Sequence, residues 1–138
     1  MRIEIRIVVS KLNYHDVSTI VDFILGLPRV SVVNFIALEM CGSAIVNKSR
    51  VWIEYPDAAQ ACEDGIEKLI HAGIDTGLYN FPRCVVDHKY WAICKDSISD
   101  YKIRFTPECN NCKVRSICGG VFNSTLSTGC FKARPILE

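Results

Sequence analysis

The sequence predicts an α/β fold, and three observations carry that prediction. Stretches with strand character recur at residues 2–9, 30–38 and 74–81. Apolar residues at helical spacing fill the two intervals between them. From Pro82 onward that periodicity gives way to an irregular, cysteine-rich segment. The chain thus reads as a β-α-β-α-β unit over residues 1–81 followed by a Cys-rich extension over residues 82–138. Helices that connect successive strands favour parallel pairing through right-handed crossovers. With 138 residues, 49% of them hydrophobic, the chain can build one real core without covalent staples.

Each element has a local reason. In "RIEIRIVV" (2–9), Ile3, Ile5 and Ile7 face one way and Arg2, Glu4 and Arg6 the other, as in a strand. The loop "SKLNYHD" follows, and Asn13 or Asp16 is placed to cap a helix built on Val17, Ile20, Val21 and Ile24. Gly26 and Pro28 end that helix. "VSVVNFIAL" (30–38) is β-branched and nearly continuously apolar, the pattern of a strand buried on both faces. Residues 39–50 read as a long loop and "VWIEY" (51–55) as a short extended piece. Pro56 and Asp57 open a second helix whose apolar face is Ala58, Ala61, Cys62, Gly65, Ile66 and Leu69, and Gly73 caps its end. "IDTGLYNF" (74–81) is the third strand.

Beyond Pro82 one short helix is expected around Ser97–Phe105, opened by Ser97-x2-Asp100, a capping-box pattern with Asp in place of Glu. The tail "STLSTGCFKARPILE" has no periodic signal. Three parallel strands would leave two open edges, which proteins avoid. The sheet is therefore expected to pair with another chain or to be part of something larger.

Composition excludes several function classes. Lys plus Arg number 16 against 15 Asp plus Glu, so there is no electrostatic case for nucleic acid. No apolar run approaches the roughly 18 residues of a membrane span. The N-terminus has too short an apolar run and too many charges for a signal peptide, which makes the cytoplasm the default location. No glycine-rich phosphate loop occurs. His15, His71 and His88 lack evident Cys or carboxylate partners for a nucleophile, so no catalytic residue is assigned. His71 instead suits the last turn of a helix, and Trp52 and Trp91 read as core or interface anchors.

The chemistry lies in the eight cysteines. "ECNNCKVRSICGG" (108–120) packs Cys109, Cys112 and Cys118 close together. Two residues between thiolates let both point at one metal. Gly119 and Gly120 allow the backbone to approach a bulky group or to adopt positive φ. A closed site needs a fourth ligand, and Cys84, Cys94, Cys130 and His88 are the candidates. Cys84 is favoured, because it follows the third strand at the carboxyl edge of the sheet; Cys130 is the alternative. Four thiolates suit Zn2+ and a [4Fe–4S] cluster equally, and the spacing does not choose between them.

These residues also resemble a known family. "IRIVVSKLNYHDVSTIVDFI" resembles the fifth strand and following helix of radical S-adenosylmethionine enzymes, with Lys11 and Asn13 at the positions of a Lys-x-Asn element. "FIALEMCGSA" is similar to the next barrel strand and its ligand-facing loop. Tyr79-Asn80, Arg83-Cys84, Ser97 through Lys102, and Cys109 through Gly120 are similar to the C-terminal region of the His-Xaa-Ser system radical S-adenosylmethionine maturase.

The resemblance implies the C-terminal half of a partial (β/α) barrel and an extension with an auxiliary [4Fe–4S] cluster on Cys84, Cys109, Cys112 and Cys118. It also implies a peptide substrate, and a S-adenosylmethionine or substrate side that could include Lys11, Asn13 and Glu39. The Cys-x3-Cys-x2-Cys motif that the radical chemistry needs is absent. The implied chain is thus not active alone and cleaves S-adenosylmethionine only if completed by an N-terminal barrel half. It reads as a truncated gene product, one half of a split enzyme or a cloned fragment. A homodimer through the open sheet edges is the other expected partnership. A structural zinc module that mediates association, or an inactive remnant, is the alternative to the cluster reading.

Overall fold

The structure, a computed structural model, describes residues 1–97 and 99–138. It contains strand β1 (Ile3–Val9), helix α1 (Val17–Leu25), strand β2 (Val30–Ala37), two short helical turns α2 (Ser43–Val46) and α3 (Lys48–Val51), and helix α4 (Tyr55–His71). Strands β3 (Asp75–Tyr79), β4 (Cys94–Lys95), β5 (Ile103–Arg104) and β6 (Val121–Phe122) follow, and helix α5 (Asn123–Ser127) is the last regular element. The fold is mixed α/β. Its main sheet has the order β1-β2-β3-β4, with every pair parallel. β5 and β6 pair antiparallel in a separate two-stranded sheet.

The alternation in the strands decides which face carries the core. Ile7 lies opposite Phe35, and Phe35 opposite Leu78; all three are buried. Val17, Val21 and Ile24 of α1 join them, with Ala58, Cys62, Ile66 and Leu69 of α4. A Cβ on Gly65 would stand 2.9 Å from Val21 Cγ2, so the absence of a side chain there sets how closely α4 approaches α1. α4 ends as its sequence requires. Gly73 has φ +71°, its N–H donates to Ile70 O, and Ile74 N–H donates to Leu69 O.

The opposite face carries Glu4, Arg6, Asn34 and Tyr79. Asn34 Nδ2 and Arg6 Nε both donate to Glu4 Oε1 at 2.8 Å, and Asn34 is buried among these neighbours. A Cβ on Gly77 would stand 2.7 Å from Asn34 Oδ1, so the glycine makes room for this polar network.

Several expectations need correction. The main sheet has four strands, not three: β4 comes from the Cys-rich part and covers the outer edge of β3, through Leu78 with Cys94 and Tyr79 with Lys95. Among the described residues, no strand covers the outer edge of β1. Residues 39–50 are not one loop. Gly42, at φ +53°, turns the chain into α2, and Asn47 Nδ2 donates to Ser43 O at its end. The extended piece at 51–55 shrinks to three residues, because Val51 closes α3 and Tyr55 opens α4. β2 is fully buried only at Val33, Asn34, Phe35 and Ala37.

The helix expected over Ser97–Phe105 is absent among the described residues. There is one turn at Asp100–Lys102 and then β5, whose pairing with β6 overrides the local preference. Ile98, within that stretch, lies outside the described residues. Ser97 Oγ accepts from Ser99 N–H in place of a capping box. Nor does Asn13 cap a helix with its side chain. Its Oδ1 accepts from Ser10 N–H at 2.8 Å and its Nδ2 donates to Val8 O at 2.9 Å, which closes the loop after β1.

The division at residue 81 does not separate two cores. Val85, Val86, Tyr90, Val121 and Phe131 pack into the same cluster as β1–β3 and α4. The Tyr55 ring joins the halves, with Phe81 and Phe131 at centroid distances of 6.1 and 5.5 Å. Trp52 and Trp91 pack against this cluster, as core anchors should. Among the described residues, no helix is long and apolar enough to cross a membrane.

Candidate metal centre

Cys84, Cys109, Cys112 and Cys118 line a single cavity. Three short turns bring them there. Cys84 sits in the tight turn Arg83–Val85 that follows β3 and Pro82. Cys109 lies within the turn Pro107–Asn111, and Cys112 closes it, its N–H donating to Cys109 O at 3.1 Å. Cys118 closes the turn Arg115–Ile117, its N–H donating to Arg115 O at 3.2 Å. Arg83 Nη1 donates to Ile117 O, so the residue before one cysteine braces the residue before another. The buried Arg83 Nε has no hydrogen-bond partner among the described residues.

Gly120 explains the Gly-Gly pair. It has φ +69°, and a Cβ there would stand 2.5 Å from Ile103 Cγ2 and 2.9 Å from Arg104 O. Gly120 thus takes the positive φ expected of the pair, and its close approach is to β5, where β6 folds back beside the cavity.

Three groups reach the sulfurs. Thr106 Oγ1 lies 3.5 Å from Cys109 Sγ. Ile136 N–H donates to Cys112 Sγ at 3.4 Å. The backbone of Arg134 hydrogen-bonds the Cys84 thiol. Burial pushes the Cys84 thiol up, the Arg134 bond pulls it down, and the neighbouring thiols of Cys118, Cys109 and Cys112 push it up again. The influence of these three thiols on Cys84 follows from their sharing one cavity with it.

The other cysteines do not line this cavity. Cys130, the alternative fourth ligand, lines a different groove with Glu54, Pro56 and Lys132. Cys94 turns its sulfur toward Tyr90 O at 3.7 Å, and burial pushes its thiol up to about 11. Cys62 is buried in α4 with its thiol pushed up to about 12, and Cys41 is exposed. His88 packs its ring edge-on to Trp91, centroids 4.5 Å apart. Among the described residues, no three His, Cys, Asp or Glu side chains are gathered closely enough to hold a single metal ion.

Lys11, Asn13 and Glu39 do not form one site. Lys11 Nζ donates to Ser49 O at 3.1 Å, and Lys11 lines a groove with His15, Trp52 and Asp57. Asn13 is committed to the backbone of its own loop. Glu39 accepts from Ser124 Oγ at 2.7 Å and lines a separate groove with Tyr101, Lys102 and Arg104. Arg104 lines both that groove and the cysteine cavity.

Sequence reasoning missed the residues that hold the site in place. Thr125, fully buried, accepts from Met40 N–H at 3.0 Å, and Tyr55 Oη donates to Leu38 O at 2.7 Å. The first bond ties the residues after β2 to the Cys-rich part, and the second ties them to the start of α4. The segment 131–136 was also missed. Its apolar-polar alternation, Phe131-Lys132-Ala133-Arg134-Pro135, is the signal that marks an extended segment with one side covered.

The chain matches no protein-family model, no curated protein and no solved structure.

Proposed function

We propose that this chain is the C-terminal part of a radical S-adenosylmethionine enzyme that modifies a peptide, closest to the His-Xaa-Ser system maturases, and that it holds an auxiliary [4Fe–4S] cluster. The observation that carries the reading is the meeting of Cys84, Cys109, Cys112 and Cys118 around one cavity, with Cys130 excluded from it. The donor set fits the group: four thiols stand around a space, and two main-chain N–H groups are directed at their sulfurs. Once bound, the cluster would supply one-electron chemistry. The residues of the chain hold it, exclude water with Phe131 and Val121, and orient the sulfurs.

The first 81 residues suit part of a barrel. Helices α1 and α4 lie on one side of the parallel sheet. The face bearing Glu4, Arg6 and Asn34 would then turn toward the barrel interior. The uncovered edge of β1 is where an N-terminal barrel half, or a second copy of this chain, would pair. With no Cys-x3-Cys-x2-Cys motif, the chain is not active alone. Glu39, near Arg104, is the best placed of the three expected substrate-side residues. The structure offers nothing for Asn13 in that role, because its side chain is already bonded.

The test is reconstitution with iron and sulfide without oxygen, comparing Cys84→Ala with Cys130→Ala. Brown colour and broad visible absorbance should survive Cys130→Ala and be lost in Cys84→Ala. The reverse outcome refutes the ligand set. A colourless chain with about one zinc favours the structural zinc module instead, which would require the four cysteines to draw together around the ion.

A further inference from the structure

Residues 131–136, which form neither helix nor strand, run along the cysteine cavity as a strap. Phe131, Ala133 and Pro135, every second residue, line the cavity, and Lys132 and Arg134, together with Phe131, line the groove on which Cys130 sits. This alternation leaves the intervening N–H groups directed at sulfur: that of Arg134 to Cys84 and that of Ile136 to Cys112. Both ends of the strap are anchored. Phe131 is buried against Tyr55, and Ile136 O accepts from Lys113 N–H at 2.9 Å. Lys113 directly follows Cys112, so the strap and the ligand loop are joined at that point.

A neutral thiol sulfur is a weak acceptor, and a bond to an ionised acceptor is roughly twice as strong as one to a neutral acceptor. Two main-chain donors directed at two of four sulfurs therefore gain most when those sulfurs carry negative charge. We propose that residues 131–136 set the reduction potential of the cluster by donating the Arg134 and Ile136 N–H groups to Cys84 and Cys112, while the apolar wall keeps competing water donors away. The proposal rests on the reading of the four cysteines as cluster ligands. One-electron reduction adds negative charge to the cluster and its thiolates. Donors at the sulfurs stabilise that charge and raise the potential.

The experiment is a redox titration of the reconstituted full chain, followed by its electron paramagnetic resonance signal. Arg134→Pro and Ile136→Pro each remove one N–H and keep the carbonyl; Ile136→Ala keeps both. An ester in place of the amide at position 136, introduced by ligating a 130–138 peptide at Cys130, removes the N–H without constraining φ. Each N–H deletion should lower the equilibrium constant for reduction by about tenfold, a shift of about 59 mV to more negative potential. Ile136→Ala should titrate with the unmodified chain.

The strap loses its role if the ester variant titrates with the unmodified chain, or if Ile136→Ala shifts as far as Ile136→Pro. An unmodified chain that assembles no cluster overturns the ligand reading and the strap with it. An assembled cluster whose potential ignores the deletions overturns the strap alone.

Discussion

Replacing Gly120 by Ala tests the geometry around the cavity, and the structure provides its own control. Gly120 has φ +69°, and holding a residue with a Cβ in that left-handed conformation costs ~1–2 kcal/mol. The added Cβ would also stand 2.5 Å from Ile103 Cγ2 and 2.9 Å from Arg104 O. The second contact is with backbone that Arg104 commits to pairing with Val121, so it cannot yield without disturbing β5 and β6. Overpacking of this kind costs ~1–3 kcal/mol, which brings the expected loss for Gly120→Ala to ~2–5 kcal/mol.

Gly129 has nearly the same φ, +70°, with nothing among the described residues within 4 Å of its would-be Cβ. Gly129→Ala should therefore lose only the conformational part, ~1–2 kcal/mol. Urea denaturation of both variants and the unmodified chain measures the difference, with equal m-values required for the comparison. Because Gly120 borders the cysteine cavity, Gly120→Ala should also weaken retention of the reconstituted cluster, whereas Gly129→Ala should not. Equal losses of stability for the two variants would refute the close approach of β6 to β5.

Two further outcomes follow from buried groups. Thr125→Val keeps the volume of a fully buried side chain but leaves Met40 N–H without its acceptor, and should cost ~1–3 kcal/mol in thermal or urea denaturation. An unchanged midpoint would mean that this bond does not hold β2 to the Cys-rich part. The Cys62 thiol is pushed up by burial from 9.0 to about 12, so above pH 9 the unfolded chain gives up this proton before the folded one does. Stability is then fully present below pH 9 and falls as pH rises through about 12; by pH 10 this thiol alone should account for a loss of ~1.4 kcal/mol. Cys62→Ala should show a smaller loss than the unmodified chain between pH 7.5 and pH 10. Parallel losses would contradict the burial of that thiol.

What could be read from the sequence follows the range of the forces involved. The strand-helix alternation of residues 1–81 and the end of α4 at Gly73 are set by local pattern and backbone preference, and both are present. The choice of Cys84 over Cys130 rested on the carboxyl edge of β3, and the cavity gathers Cys84 with the trio. β4 was not legible, because two residues carry no period and its place depends on where the turn at His88–Ile93 releases the chain. The helix expected near Ser97 fails for a related reason: Ile103 and Arg104 find partners in Phe122 and Val121, far along the chain. Asn13 had the chemistry of a cap, but the loop after β1 offered its side chain two nearer backbone partners. Lys11 and Glu39 do follow strand ends, yet which groove each enters depends on α3, α5 and β5, none of which is visible in the local pattern.

Cys84, Cys109, Cys112 and Cys118 are proposed to hold an iron–sulfur cluster. Mössbauer spectroscopy of the chain reconstituted without oxygen with iron-57 and sulfide, together with iron and acid-labile sulfide analysis, tests it directly. The expected result is the signature of a [4Fe–4S] cluster, with about four irons and about four sulfides per chain, and its loss when Cys84 is replaced. A chain that takes up only stray iron under those conditions while holding about one zinc would contradict it.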